Sequence, residues 1–348
     1  MRGRPTMSDV AARAGVSRAL VSLVFRDRPG ASASTRARVL AAAAEIGYRP
    51  DGAARLLARG RSRTVGVVTT VGEPYEAGLL ESIYDEAGRL GYDVLLSART
   101  ATHPEADAVG ELLAHRCEAL VLLGPHLDDA VLADLGRRAA VAVVGRAAPC
   151  TGTGSATVDA LRTADDDGLR QAVDHLVGLG HRVIVHVDGG DGPNAAVRRD
   201  GYRAAMTAHG LADHIRVLPG GYDERAGIAA ARTLLADPAP PSAVVAANDR
   251  CALALLDTLR RSGVDVPGRV SVVGYNDDRL AGLAHIDLTT VRQDADALAR
   301  GAVRAVAARL DDGGTAPADR LLPPHLVVRG TTGPPPEVVA VSRAPSRR

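Results

Sequence analysis

The sequence predicts two parts of different class: a small all-α helix-turn-helix head, and after it an α/β body of doubly wound parallel sheets. Three observations lead there. Charge is divided unevenly along the chain, two short amphipathic helices near the N-terminus meet at a glycine, and beyond residue 63 β-rich runs alternate with helical ones.

The 348 residues carry 42 Lys plus Arg against 41 Asp plus Glu, a net charge of +1, and every one of those cations is arginine. Without lysine, a phosphate loop ending in Gly-Lys-Ser/Thr, a lysine Schiff base and a Ser-Lys dyad are all excluded. Residues 1–63 hold 13 Arg against four acids (Asp9, Asp27, Glu45 and Asp51), or +9, and the other 285 hold 29 Arg and 37 acids, or −8. A basic head on an acidic body favours nucleic acid as the partner of the head. An unstructured arginine-rich arm would carry the same charge, but the head also shows helical order.

That order begins at Thr6, which with Asp9 resembles a capping box, while Val10 and Ala14 share a face. Gly15 permits a tight turn, and Ser17 is suited to cap a second helix from Arg18 to about Phe25. Along it Val21 and Phe25, and Leu20 and Val24, recur four apart. A third helix is expected from Ser32 as cap, with Val39, Ala43 and Ile46 on one face and Gly47 as its stop.

The run Met7-Ser-Asp-Val-Ala-Ala-Arg-Ala-Gly-Val-Ser-Arg-Ala-Leu-Val-Ser22 resembles the opening of LacI/GalR-type (lactose-repressor-like) transcription regulators. Ser34-Thr35-Arg36-Ala37-Arg38-Val39 through Ile46-Gly47-Tyr48-Arg49-Pro50 is similar to that family's third helix and exit, and Ala53-Ala54-Arg55-Leu56-Leu57 to its hinge helix. The similarity runs to about Thr332.

In a helix-turn-helix the second helix lies in the major groove with its N-terminal residues at base edges. Assigning Leu20, Val21, Val24 and Phe25 to the core leaves Arg18, Ala19, Ser22 and Leu23 to face DNA. Arg18 can donate two hydrogen bonds to guanine, for about 1–3 kcal/mol of discrimination; a phosphate contact is the alternative. Ala19 and Leu23 offer apolar contact, and Leu23 stands where the family often has arginine. Ser17, Ser32 and Thr35 would anchor phosphates, and Thr6 joins them as a DNA-binding candidate. The segment 51–58 is too short to be a stable helix alone. The resemblance implies that it folds on operator DNA, pairs with a dimer mate and wedges Leu57 into the minor groove, with Ala54 beside it. An ordinary apolar linker is the other reading of Leu56 and Leu57.

In the body, strands are expected over 64–70, 93–96, 119–123, 141–144, 182–187, 215–218, 243–246 and 270–274, with helices over 76–90, 168–179 and 249–262. Eight strands over this length imply two parallel sheets, with ligand sites at strand carboxyl ends. The resemblance implies two periplasmic-binding-protein-like lobes with crossovers near Leu161, Val291 and Leu322. The expected organisation is a head over 1–50, hinge helix and linker over 51–63, and an effector-binding and dimerisation body over 64–333. Its first lobe takes about 64–161 and 292–321, its second about 162–291 and 322–333. The tail 334–348 lacks periodicity and is expected to be disordered.

The resemblance makes Arg198 an effector contact and Tyr222 a stacking residue. It places Tyr75, Glu76, Asn248, Asn276 and Gln293 at strand ends that line the cleft. These are groups for a polyol: forked donors and acceptors with flat apolar platforms. Ala164 and Asn276 stand where the family commonly has Asp. Arg146 could bind an anionic effector or pair with an acid, and Asp249 could cap its helix or contact ligand. His175-Leu176 to Gly180-His181-Arg182 resembles a structural signature, Asp165-Asp166-Asp167 suits a helix N-terminus, and the glycine-rich stretch 188–194 reads as a loop near the cleft.

Equipment for catalysis is missing: no His-Glu-x-x-His, no Gly-x-Ser-x-Gly and no Cys-x-x-Cys occurs. His181 and His186 read as opposite faces of one strand rather than ligands. Cys117, Cys150 and Cys251 suggest thiols in a reducing compartment. No apolar run of about 18 residues and no signal-like core occurs. The expectation is a cytoplasmic, non-enzymatic repressor without metal or cofactor. Its partners are double-stranded operator DNA, a carbohydrate-like effector, and a second copy in a homodimer, with a tetramer as the alternative. A solute-binding protein without a transcriptional role is the competing reading; it would need an export signal and no DNA-binding head.

Overall fold

The computed structural model describes residues 5–25, 28–48, 62–149, 156–312 and 315–336. It divides into two compact units, Met1–Ser62 and Arg63–Arg348. The expected hinge helix, with Ala54, Leu57, Arg59 and Arg61, lies outside the described residues, as do Cys150 and residues 337–348.

The first unit holds α1 (Met7–Ala14), α2 (Arg18–Phe25) and α3 (Ala33–Glu45). Thr6 and Asp9 form the full capping box on α1, and Gly15 ends the helix at φ 63°, where any other side chain would be strained. Val10, Ala14, Val21, Val24, Val39, Ala43 and Tyr48 form the core, with Phe25 and Ile46 packed against it. Leu20 departs from expectation. It is half-buried and outside this cluster, because three helices this short enclose only a narrow apolar strip along α2.

In the second unit, one sheet combines β1 (Thr64–Thr70), β2 (Asp93–Arg99), β3 (Ala119–Leu123), β4 (Ala140–Val144), β5 (Asp159–Thr163) and β11 (Asp319–Leu322). The other combines β6 (Ile184–Val187), β7 (Arg216–Leu218), β8 (Ala243–Val245), β9 (Ser271–Asn276), β10 (Thr289–Arg292) and β12 (His325–Val327). Their orders, β2-β1-β3-β4-β5-β11 and β7-β6-β8-β9-β10-β12, repeat one doubly wound pattern, and only the β10–β12 pair is antiparallel. Strands β3 and β4 are buried at every position, as a sheet covered by helices on both faces requires.

The first sheet is covered by α4 (Pro74–Arg89), α5 (Glu105–Ala114), α6 (Asp129–Arg138) and α11 (Ala295–Asp312). The second is covered by α7 (Asp165–Gly178), α8 (Ala195–Ala208), α9 (Glu224–Leu235) and α10 (Asp249–Arg261). The chain passes between the sheets from β5 to α7, from β10 to α11 and from β11 to β12. Leu161, Val291 and Leu322 lie in the strands that precede these passages.

Three strands, β5, β11 and β12, were not expected from the sequence, and β10 only through the strand end that the resemblance places at Gln293. Each has only three or four residues, except β5 with five, and in all but β12 charged residues interrupt the pattern. The charges are resolved across strands: Arg162 Nε of β5 donates to Asp319 of β11 at 2.9 Å. The expected strand over 182–187 begins at Ile184, so His181 lies before it, hydrogen-bonded to Ser242, and the opposite-face argument for the two histidines does not hold. Among the described residues no helix is long and apolar enough to cross a membrane.

Helices α9 and α10 approach closely at Gly227, where a Cβ would lie 2.2 Å from the Cys251 carbonyl oxygen. Backbone cannot yield there cheaply. Gly227→Ala should cost about 1–3 kcal/mol through overpacking, read as a lower urea midpoint of the second unit.

Candidate functional site

In the head, Arg13 pairs with Glu45, tying α1 to α3. Arg36 donates to the carbonyls of Val24 and Arg28 at 3.2 Å each, binding α3 to the end of α2. These arginines hold the fold. Arg18 differs: it is exposed at the first turn of α2 and makes no hydrogen bond or ion pair among the described residues. Ala19 is exposed beside it, whereas Ser22 and Leu23 are half-buried. Leu23 packs toward Gly30, whose Cβ would lie 3.2 Å from its Cδ1.

The hydroxyl candidates are engaged to different degrees. Ser17 accepts the Leu20 amide at 3.2 Å, leaving its own proton to donate. Ser32 accepts the Thr35 amide at 3.2 Å and donates to Thr35 Oγ1 at 2.9 Å, so the free proton belongs to Thr35. Thr6 is committed within the head, its hydroxyl donating to Asp9 at 2.7 Å.

In the second unit a cavity of about 710 Å³ opens at the carboxyl ends of both sheets, a volume suited to a small-molecule ligand. Tyr75, Glu76, Arg198, Tyr222, Asn248, Asn276 and Gln293 all line it. Arg146 does not: it pairs with Asp129 and donates to the Leu127 carbonyl at 2.9 Å. Of its two readings, the structure adopts the pairing with an acid.

Arg198 is the best-held group. Its Nε donates to Asp165 at 2.9 Å and one terminal nitrogen to the Ala247 carbonyl at 2.7 Å. Its guanidinium lies 3.7 Å from the Tyr275 ring centroid and 5.7 Å from that of Tyr222. Burial is the largest single influence and lowers its pKa, but the Asp165 carboxylate together with Tyr222 and Tyr275 more than offsets it, so Arg198 stays charged. Asp165 opens α7, where the helix dipole favours an anion. The acidic triplet reads more simply as a helix terminus than as a metal site; its first member is also the partner of the central cation.

The amides form a relay. Thr163 donates to Gln293 Oε1 at 2.7 Å, and Gln293 Nε2 donates to Asn276 Oδ1 at 2.8 Å. Asn248 is spent on structure: it accepts the Cys251 amide at 2.9 Å as the cap of α10 and donates to the Tyr222 carbonyl at 2.9 Å. Asp249 is therefore not the cap. It is fully buried, accepts from Thr290 at 2.5 Å and from the Asp278 amide at 2.7 Å, and burial pushes its pKa up to about 6.

Tyr222 donates to the Pro193 carbonyl at 2.7 Å and lies flat on the glycine loop. A Cβ at Gly189 or Gly192 would sit 2.6 or 2.4 Å from its ring, so those glycines are required for the loop to meet the tyrosine. The Tyr75 hydroxyl is buried without a hydrogen-bond partner among the described residues. Glu76 accepts from Thr69 Oγ1 at 2.7 Å and the Thr70 amide at 2.6 Å, and burial pushes its pKa up to about 7.

Among the described residues three polar contacts join the lobes, the outermost an exposed pair of Arg279 with Glu81 at 3.5 Å. Asn194 donates to the Gly145 carbonyl. Arg250, gripped through two nitrogens by Glu224 at 2.7 and 2.6 Å, reaches Glu73 at 2.6 Å. Nothing in the local sequence marks this triad, whose members are far apart along the chain. Among the described residues no group of three or more His, Cys, Asp or Glu side chains is placed to hold a metal ion. Cys117 and Cys251 are buried free thiols with pKa values pushed up by burial to about 11 and about 12.

Residues 6–51 match the family model "bacterial regulatory proteins, lacI family", and residues 173–332 match a periplasmic binding protein-like domain. The transcriptional regulator CelR of Thermobifida fusca is 35% identical over 94% of this chain and 98% of its own length. A structure of the lac repressor dimer bound to operator and the anti-inducer ONPF superposes with a TM-score of 0.79 at 29% identity, covering 95% of this chain and all of that one. A CelR–cellobiose complex gives 0.68 at 31% identity, covering 94% of this chain and all of that one.

Removing one partner of a buried ion pair leaves the other charge uncompensated, so Asp165→Ala should destabilise the second unit by about 3–5 kcal/mol, measured by urea unfolding. Glu76 titrates higher folded than unfolded, so the native state binds more protons between about pH 4.5 and 7 and loses stability as pH rises through that window. Glu76→Gln should flatten this slope, compared with the parent by thermal unfolding at a series of pH values.

Proposed function

Because this chain belongs to the lacI family of bacterial regulatory proteins, we propose that it represses transcription by binding a pseudopalindromic operator as a dimer. A small carbohydrate-like effector in the cavity releases it. The cavity carries the reading: a buried, fixed arginine, two amides and two tyrosines converge at the carboxyl ends of both sheets. Such a set meets hydroxyls with forked donors and acceptors and meets a sugar ring with flat faces. A solved structure similar to this chain is that of a transcriptional regulator CelR–cellobiose complex.

In this reading residues 1–50 recognise the operator, 51–63 form the hinge, and 64–333 bind effector and dimerise. Arg18 is the main base reader, with Ala19 beside it; Ser17 and Thr35 anchor phosphates through their hydroxyl protons, and Ser32 contributes through the helix N-terminus it caps; Ala54 and Leu57 enter the minor groove. Ser22 and the half-buried Leu23 act at the edge of the interface. The protein acts in the cytoplasm and is not an enzyme. Effector closing the cleft changes the relative pose of the two first lobes of the dimer, and this prevents the two hinges from pairing. The effector must therefore bind the two poses with different affinity, since equal affinity shifts nothing. A solute-binding role alone leaves the +9 head without work.

A gel shift of the inverted repeat upstream of the neighbouring genes tests the reading, with and without a metabolite panel; operator affinity that no metabolite alters sinks effector control. Arg18→Ala should cost about 1–3 kcal/mol at particular base pairs. Equal weakening on all sequences would instead make Arg18 a phosphate contact.

A further inference from the structure

The charges of the cavity are mostly matched within the protein. Arg198 has Asp165 at 2.9 Å, and Glu73 has Arg250 at 2.6 Å. Asp223 accepts the Ala226 amide at 3.0 Å as the cap of α9. Glu76 is held by Thr69 and Thr70, and burial leaves much of it uncharged at neutral pH.

Arg99 is left over. It is the last residue of β2, half-buried in the cavity wall, and has no carboxylate within ion-pair distance among the described residues. One terminal nitrogen donates to Thr70 Oγ1 at 2.9 Å, which aims the guanidinium while leaving its other donors unused. His126, on the same wall, has its pKa lowered by burial and then by Arg99 and Arg146, so it offers a neutral ring and no counter-charge. On the facing lobe Arg225 also lines the cavity without an ion-pair partner among the described residues, though it is exposed. A guanidinium enclosed as the lobes close around a ligand needs a counter-charge, and its planar fork fits a carboxylate or phosphate with two hydrogen bonds.

We propose that the effector is an anionic carbohydrate, a sugar bearing a carboxylate or a phosphate, whose charged group is bound by Arg99 at the first-sheet end of the cavity. The inference rests on the effector reading above and narrows it. The polyol part meets Arg198, Asn276 and the tyrosines, while the anion meets Arg99, so a neutral sugar of the same shape leaves Arg99 unmatched.

Calorimetric titration of the full-length protein with matched probes tests this: glucose, glucuronate and glucose 6-phosphate; galactose and galacturonate; cellobiose and cellobionate. In at least one set the anion should bind tenfold or more tightly than its neutral partner, and the carboxylate and phosphate arms identify which group is preferred. Arg99→Gln should abolish that advantage, and Arg99→Lys should keep most of it, which guards against a variant that merely misfolds. Tight binding of a neutral sugar with no gain from the anion overturns the proposal and leaves effector control standing. So does an anion preference that survives Arg99→Gln. Failure of every probe to bind counts against both.

Discussion

The carboxylate of Asp165 fixes the site. A buried arginine is tolerated only where a counter-charge and hydrogen-bond acceptors are already in place, and Asp165 supplies the first while the Ala247 carbonyl and the Tyr275 face complete the set. Asp165 belongs to the first turn of α7, Arg198 to α8 and Ala247 to the turn between β8 and α10. Three elements of the second lobe are thus pinned to one cation, and that cation stands in the cavity wall. Gly168, one turn further along α7, lets Tyr275 come this near: a Cβ there would lie 2.7 Å from the tyrosine hydroxyl.

The head and the alternation of the body were legible because their signals are local. Thr6 with Asp9, Gly15, and Ser32 with Gly47 mark helix ends within a few residues, and the structure uses each of them in its expected place. Strands β3 and β4 are uninterrupted apolar runs. The short strands around the passages were not legible, since their stability comes from partners such as Arg162 and Asp319, 157 residues apart.

The candidate site divides in the same way. The cleft residues were found through the family resemblance, and seven of the eight meet around one cavity. What those side chains do there was hidden. The sequence offers Asn248 and Asp249 as neighbours with interchangeable roles, yet the first caps α10 and the second is buried among Thr290 and the Asp278 amide. Arg146 and Arg99 likewise differ by a partner: Asp129 pairs with one, while Glu73 and Glu105 act on the other only from beyond ion-pair distance among the described residues. A contact between lobes leaves no periodicity, so the Glu73–Arg250–Glu224 triad could come only from coordinates.

The relay from Thr163 through Gln293 to Asn276 has a mechanical consequence. Thr163 ends β5, Gln293 follows β10, and both sit where the chain leaves one sheet for the other. Two connections joined by a buried hydrogen bond cannot flex separately without breaking it. The lobes can therefore shift only if both connections move together or the bond is given up.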